Sequence, residues 1–225
     1  MSVAVASPAR RIYLTGGTGY LGSRLIPLLV ERGHHVRALA RGSSRHRFPP
    51  GCESIIGTPL DRAVLADGMR GSDTVVQLVG VPKPAPWKGP QFRAVDLRSG
   101  RASIDAAKTA GVEHFVYVSV AQPAPIMKAY IDIRRECEDR LRASGLRATI
   151  LRPWYILGPG HWWPLALQPA YRLMELIPPT RDMALRLGLV SIHDMLMTLV
   201  WAVEHPPESV RVIEVPEIRR LGGAL

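Results

Sequence analysis

A glycine-rich run near the start of the chain constrains its fold more than any other feature. The run reads TGGTGYLG over residues 15–22, and it lies between an apolar, strand-like run at 11–15 and a segment with helical apolar spacing. The order strand, glycine turn, helix predicts a loop that binds a dinucleotide pyrophosphate. Gly16 would make the tight turn, Gly19 would allow close backbone approach to the anion, and Gly22 would pack the helix on the strand. Free N–H groups at the helix start would bind the phosphates.

The rest of the chain alternates short β-branched runs with longer helix-periodic stretches. This rhythm is typical of an α/β doubly wound parallel sheet, a Rossmann fold with helices on both faces. Its length of 225 residues fits a single domain, residues 1–225. The predicted strands are 11–15, 35–40, 53–56, 73–79, 113–119, 147–152 and 210–215, and the main predicted helices are 20–32, 61–69, 91–110 and 127–143.

A proline-rich segment, VPKPAPWKGP at 81–90, follows the predicted fourth strand. It suits neither a regular strand nor a regular helix. Ligands of open α/β sheets bind at the carboxyl ends of the strands. The segment is therefore either a substrate-side loop or a rigid linker.

Composition excludes several classes of function. The net charge is +10, but the 25 arginines are spread along the chain without a basic block, so we expect a solvated basic surface and no nucleic-acid partner. No apolar run reaches the ~20 residues of a membrane span, and no secretory signal is recognisable, so we expect a cytoplasmic protein without a membrane partner. Cys52 and Cys137 are far apart and form no metal-ligand pattern.

The end of the second predicted strand bears on the choice of dinucleotide. NAD-binding proteins commonly carry an acidic residue there, which accepts hydrogen bonds from the ribose. Here Ala40 is followed by RGSSR at 41–45, which offers positive charge and hydroxyl donors but no carboxylate. A 2′-phosphate would be attracted to this cluster. We therefore expect NADP(H) as the cofactor, with NAD(H) the less favoured alternative.

Several ordered motifs together resemble a known superfamily. They are TGGTGYLG, VRALAR at 36–41, GTPLDRAVL at 57–65, AGVEHFVYVSV at 110–120, Tyr130 with Arg134 and Glu138, and LRPWYILGPG at 151–160. The chain resembles an atypical member of the extended short-chain dehydrogenase/reductase superfamily. It is similar to the NAD-dependent epimerase/dehydratase and NmrA-like NAD(P)H-binding proteins.

The resemblance implies positions for the cofactor along the carboxyl edge of the sheet. The glycine loop would hold the pyrophosphate, Thr58 and Leu60 would lie near the adenine, and Arg37 and Arg41 match arginines of NADP-binding relatives. Of the two arginines, Arg41 is the better match. The implied cofactor-binding residues are Gly16, Thr18, Gly19, Tyr20, Leu21, Gly22, Arg37, Arg41, Thr58, Leu60, Val79 and Gly80 near a ribose, and Pro153 and Trp154 beside the nicotinamide.

The resemblance also implies catalytic candidates. The superfamily uses Tyr-x-x-x-Lys, and residues four apart share one face of a helix. Tyr130 matches the tyrosine, whereas Arg134 stands in place of the lysine. Arg134 could favour the ionised tyrosine and hold the ribose, but it cannot relay a proton because it does not deprotonate. Tyr130 is then either a general acid or a pocket-lining side chain. Ser119 would either polarise a substrate carbonyl or satisfy local groups at the strand end.

The C-terminal part is short for this superfamily, so residues 154–209 would form a reduced substrate-side region. Its segment 161–177 is apolar and aromatic, as in a hydrophobic pocket lid, a subunit contact or a core helix. His161 could donate a proton or simply pack.

The favoured function is an NADP(H)-dependent oxidoreductase acting on a small apolar carbonyl or enone. A non-catalytic NADP(H)-binding sensor and an epimerase or dehydratase are the alternatives, and a homodimer through the Tyr130 helix is possible by analogy.

Overall fold

The secondary structure follows the predicted alternation. A computed structural model describes residues 8–162, 165–166 and 168–223, without the side chains of residues 45, 46, 170, 172 and 175. The strands are β1 (Arg11–Thr15), β2 (His35–Ala40), β3 (Cys52–Ile56), β4 (Thr74–Gln77), β5 (His114–Val118), β6 (Arg147–Arg152), β7 (Tyr155–Leu157), β8 (Leu189–Ser191) and β9 (Val210–Glu214). The helices are α1 (Gly22–Glu31), α2 (Arg62–Met69), α3 (Gly89–Gln91), α4 (Arg98–Ala110), α5 (Lys128–Ala143), α6 (Gln168–Leu176), α7 (Pro178–Arg186), α8 (Ile192–Glu204) and α9 (Val215–Gly222).

Seven parallel strands form the main sheet, in the order β3-β2-β1-β4-β5-β6-β9. The chain moves outward from β1 to β3 and then crosses to β4 on the other side of β1. Strand order therefore reverses between β1 and β4, and a crevice for a ligand opens there at the carboxyl ends. The predicted doubly wound α/β fold is confirmed.

Both faces of the sheet are covered because successive side chains of a strand point in opposite directions. On β1, Ile12 and Leu14 pack with buried residues of α1, α8 and α9. Tyr13, between them, packs in a second apolar layer with residues of α2, α4 and α5. The near-continuous apolar strands of the sequence are explained by this burial on both sides.

Two predicted elements differ from the observed ones at the edge that matters for binding. The fourth strand ends at Gln77, because the chain turns past Gly16, where a Cβ atom would lie 2.8 Å from the Leu78 carbonyl carbon. The predicted helix 91–110 contains a π-helical turn, Phe92–Leu97, between α3 and α4. Apolar spacing alone does not distinguish such a turn from an α-helix, and π-turns occur often at functional sites.

The region after β6 forms a small lobe of its own secondary structure. β7 and β8 pair in parallel, and α6 and α7 lie between them in sequence. Ser191 caps α8, because its hydroxyl accepts a hydrogen bond from the Asp194 N–H at 3.0 Å. Of the apolar segment 161–177, residues 163, 164 and 167 lie outside the described part. No helix in the described ranges is long and apolar enough to cross a bilayer.

Candidate active site

The glycine loop joins β1 to α1 and has no room for side chains. Gly16 has φ +75°, a conformation that favours glycine, and its carbonyl accepts a hydrogen bond from the Gly19 N–H at 2.9 Å. A Cβ on Gly22 would overlap the Gly16 carbonyl oxygen, so α1 begins directly against the loop. A Cβ on Gly17 would lie 2.8 Å from the ring of Phe48. The sequence pattern did not single out Gly17, because Phe48 is distant in the chain.

The start of α1 fits an anionic group. Leu21 at its N-cap makes no side-chain cap, and the first turn contains no acidic residue. The helix dipole is therefore uncompensated at this end, and backbone N–H groups remain available to an anion. Gly19 is exposed, and Thr18 and Tyr20 are partly exposed. The loop can accordingly hold the pyrophosphate of a dinucleotide through backbone groups.

The structure separates the two predicted arginines. Arg41 is exposed at the carboxyl end of β2, where a 3₁₀ turn begins, and among the described side chains it has no ion-pair partner. Arg37 lies within β2, and its side chain does not reach the carboxyl end of the strand. Its Nη1 donates to the Arg70 carbonyl at 2.9 Å, and its Nε lies 3.4 Å from Glu53. Arg70 follows α2 and comes shortly before β4, at the amino end of the sheet. Arg41 therefore lies at the binding edge, and Arg37 does not.

The remaining predicted cofactor residues follow the carboxyl ends of β3, β4 and β6. Thr58 and Leu60 are exposed and follow β3 in the chain. The end of β3 is paired with β2, because the Gly57 N–H donates to the Ala40 carbonyl at 2.9 Å. Parallel strands place these residues along one edge of the sheet. The others at this edge are the half-buried Val79 and Gly80 after β4, and the buried Pro153 and half-buried Trp154 after β6.

Tyr130 and Arg134 share one face of α5, as their spacing predicts. The Cζ atom of Arg134 lies 5.0 Å from the centre of the Tyr130 ring, and Phe92 packs against the same ring at a centroid distance of 4.9 Å. Tyr130 is partly exposed, whereas only 5% of Arg134 is exposed. The tyrosine ring is therefore held between a guanidinium and a buried aromatic side chain.

Arg134 is engaged by buried groups that the sequence pattern did not reveal. Its Nη2 donates to Asp96 Oδ1 at 2.6 Å, and its Nη1 donates to the Val118 carbonyl at 3.0 Å and to the Tyr117 hydroxyl at 3.3 Å. Burial disfavours its charge, but Tyr117, Tyr130 and Asp96 outweigh burial and hold the pKa of Arg134 well above its ordinary value. The guanidinium is therefore positively charged.

Asp96 joins Arg134 to the start of the proline-rich segment. Its Oδ1 binds Arg134, and its Oδ2 accepts a hydrogen bond from the Val81 N–H at 3.0 Å. Burial raises the pKa of Asp96 above its ordinary value, against the opposing effect of the Arg134 charge. A Cβ on Gly80 would lie 2.6 Å from Arg134 Nη2, so only glycine leaves room for the guanidinium at this edge. No local pattern in the sequence singles out Asp96: the positions three and four residues away are Phe92, Arg93, Ser99 and Gly100.

Ser119 lies at the end of β5, but its hydroxyl is used by a buried carboxylate. It donates to Glu138 Oε1 at 2.6 Å, and Gln122 Nε2 donates to the same oxygen at 2.8 Å. Arg152 and Arg142 also donate to this carboxylate, with nitrogens 2.6 Å and 3.0 Å from Glu138 Oε2. Burial alone would raise the pKa of Glu138, but the donors from Arg152 and Ser119 lower it below its ordinary value.

We predict that Ser119→Ala acts on stability rather than on chemistry. The change removes one donor to a fully buried carboxylate and should cost about 1–3 kcal/mol of unfolding free energy. Because the folded pKa of Glu138 is depressed, its contribution to stability exists above the unfolded pKa and is lost as pH falls through the folded pKa. Removing a donor raises that folded pKa, so acid unfolding should begin at a higher pH. Urea unfolding measured across the acidic range checks this, and a large loss of turnover with unchanged stability would contradict it.

Tyr20 connects the glycine loop to the segment after β7. Its ring lies 4.5 Å from that of His161 in an edge-on arrangement, and Arg24 stacks on its other side at 4.4 Å. A Cβ on Gly158 would overlap the Tyr20 hydroxyl. His161 therefore packs on the loop. No three His, Cys, Asp or Glu side chains of the described chain come together as a metal site.

Comparison with known proteins agrees with this geometry. A family model described as NAD(P)H-binding matches residues 16–159. A ceramide reductase of Caulobacter vibrioides is 30% identical over 227 residues, covering 97% of this chain and 68% of the relative. A 4-hydroxy-2-methyl-3-oxo-4-farnesyl-3,4-dihydroquinoline-1-oxide ketoreductase of Stigmatella aurantiaca is 32% identical over 111 residues, covering 48% of this chain and only 33% of the relative.

Solved structures share the fold. The Bordetella bronchiseptica enzyme WbmH, in complex with NAD+, superposes with a TM-score of 0.68 at 21% identity, covering 96% of this chain and 80% of that one. MoeE5, in complex with UDP-glucuronic acid and NAD, gives a TM-score of 0.70 at 20% identity, covering 91% and 76%. At such identity the likeness shows the architecture alone.

Proposed function

Because the chain belongs to the NAD(P)H-binding family, whose model covers residues 16–159, we propose that it is an NADP(H)-dependent oxidoreductase that acts on a carbonyl group of an apolar substrate. The observation that carries the proposal is the position of Tyr130. Its partly exposed ring stands at the same sheet edge as the glycine loop and is stacked on a permanently charged guanidinium.

Each side chain has a defined part in the proposed reaction. The bound nicotinamide would supply the hydride. The Tyr130 hydroxyl donates the proton to the carbonyl oxygen during reduction, which is general acid catalysis. Arg134 fixes the ring of Tyr130, but the proton lost by Tyr130 returns from solvent, because a guanidinium does not release one. Asp96 keeps the guanidinium in place.

The preference for NADP(H) is supported by the exposed guanidinium of Arg41 at the end of β2. We predict that Arg41→Ala weakens NADPH binding about tenfold or more, since a charge-assisted hydrogen bond contributes ~1.5–3 kcal/mol. NADH binding should change little, because NADH lacks the 2′-phosphate. Titration of the protein with each cofactor, monitored by tryptophan fluorescence, measures both dissociation constants. Arg220→Ala, which removes an exposed arginine from α9, is the matched control. Equal affinity of the native chain for NADPH and NADH would refute the preference.

The class of substrate is supported by the relatives. One is named a ceramide reductase and another a ketoreductase of a farnesylated quinoline oxide, and both substrates carry long apolar chains. The direct test is a panel of ketones of increasing chain length, with loss of reduced cofactor as the readout. Turnover that rises with apolar chain length is expected. Binding of NADPH without oxidation by any member of the panel would contradict the proposed reaction.

The engagement of Arg134 favours a second candidate, a non-catalytic NADP(H)-binding sensor. Its terminal nitrogens make three hydrogen bonds to protein groups, and Nη2 lies next to Gly80, one of the residues predicted near a ribose. A sensor would bind cofactor tightly, show no turnover, and bind a partner protein differently with oxidised and reduced cofactor. The ketone panel separates the two candidates.

A further inference from the structure

Large apolar side chains are exposed around the opening of the candidate site. Trp87 in the proline-rich segment is 80% exposed, and Ile126, just before α5, is 53% exposed. On α6, Leu173 and Leu176 are 61% and 79% exposed. Large apolar side chains exposed in one region of a surface mark a site of interaction with a partner or a lipid surface.

These side chains belong to three segments at one edge of the molecule. The segments are residues 82–88, 123–128 and 168–186, and together we call them the mouth surface. The first two follow the carboxyl ends of β4 and β5, which are parallel neighbours. They are close in space, since a Cβ on Gly89 would lie 3.7 Å from the Cβ of Ala129. The third segment joins them through Arg186, whose Nε donates to the Pro123 carbonyl at 3.2 Å.

An exposed apolar stripe lies on α6. Leu173 and Leu176 are three residues apart on the helix and form this stripe, and the exposed Ile177 follows directly after the helix ends. The helix is therefore not the plain core helix that its composition allowed. An open cavity of about 670 Å³ adjoins the stripe and is lined by Leu176, Pro178, Arg181, Asp182 and Leu185.

Positive charge surrounds the apolar side chains. By sequence, the mouth surface carries six cations and two carboxylates, and it contains three of the four lysines of the chain, Lys83, Lys88 and Lys128. Tryptophan and long cationic side chains around an apolar centre match the boundary of a bilayer, where stems lie in the apolar layer and charges reach the headgroups. Each cation near an anionic leaflet contributes to binding.

We propose that the mouth surface docks on an anionic bilayer, so that the opening of the candidate site faces the membrane. The sequence led us to expect no membrane partner, because no run approaches the length of a span. Peripheral docking requires no such run, only an apolar face with flanking cations. The inference goes beyond the proposed reaction and does not depend on it, since docking is measured without cofactor or substrate.

The test is flotation of the purified full chain with vesicles. Vesicles of equal parts phosphatidylcholine and phosphatidylglycerol should retain the protein, and phosphatidylcholine vesicles should retain much less. Leu173→Glu combined with Leu176→Glu should lower partitioning at least about tenfold, because two apolar side chains no longer enter the bilayer. Ile56→Glu is the control for adding a glutamate at an exposed aliphatic position, since Ile56 is 54% exposed but lies on β3 at the far edge of the sheet.

Two results would overturn the proposal. One is equal retention of the native chain and the double variant, with circular dichroism showing both folded. The other is self-association in sedimentation velocity that the double variant abolishes, together with no retention on anionic vesicles. That outcome would make the stripe an interface between copies of the chain. A lack of ketone turnover would leave the docking result unaffected.

Discussion

Tyr130→Phe should lower the turnover of a reactive ketone by about 10²–10⁴-fold, which is the range for loss of a general acid. The ring stays in place because its contacts with Arg134 and Phe92 involve no hydroxyl. The dissociation constant for NADPH should therefore remain unchanged. Steady-state kinetics and cofactor titration on the same preparation separate the two quantities.

Tyr13→Phe is the matched control for this experiment. The Tyr13 hydroxyl is buried without a hydrogen-bond partner, in the layer beneath α2 and α4. Its removal should leave turnover as it is. Unchanged turnover in Tyr130→Phe, with a ketone that the native chain reduces, would show that Tyr130 only lines the pocket.

Asp96→Ala should destabilise the fold by about 3–5 kcal/mol, because it leaves the buried Arg134 guanidinium without its counter-charge. The change also removes the acceptor for the Val81 N–H, and so loosens the start of the proline-rich segment. Urea unfolding gives the free energy. Turnover under conditions where the variant is folded should also fall, since Arg134 would no longer hold Tyr130.

The chain contains a close control for the Asp96–Arg134 pair. Asp105 and Arg140 also join two helices, through hydrogen bonds of 2.7 Å, but both side chains reach solvent. Asp105→Ala should cost no more than about 1 kcal/mol, the usual range for an exposed pair. If Asp96→Ala and Asp105→Ala lower the free energy of unfolding by similar amounts, burial does not increase the contribution of the Asp96–Arg134 pair to stability.

A double replacement tests the origin of the loss. In Asp96→Leu with Arg134→Met, no unpaired charge remains in the interior, so the double variant should be more stable than Asp96→Leu alone. Its turnover should stay low, because methionine supplies no charge beneath Tyr130. Recovered stability without recovered turnover would distinguish the positioning role of Arg134 from a structural one.

Much of the fold follows from local pattern. The bounds predicted for β1, β2 and β6 match the observed strands, because each is a short apolar run whose neighbours break it. The glycine spacing also predicted the turn at Gly16. Such features depend on residues within a few positions of each other, where backbone geometry restricts the choice.

The partners within the site could not be predicted in the same way. Arg37 and Arg41 are equivalent in a sequence pattern, yet only Arg41 lies at the binding edge, because Arg37 is bound by the Arg70 carbonyl. Ser119 was a candidate for substrate contact, but its hydroxyl donates to Glu138. These outcomes depend on which distant groups the packing brings within hydrogen-bond distance.

The dinucleotide loop, the alternation of strands and helices, and the placement of Tyr130 and Arg134 on one helix face could all be predicted from the sequence. The contacts of Arg134 depend on the packing of distant segments. The π-helical turn brings Asp96 to it from 38 residues away, and Gly80 leaves the space that it occupies. The physical reason is that a buried charge must find a counter-charge wherever the fold supplies one, and no local periodicity encodes that position.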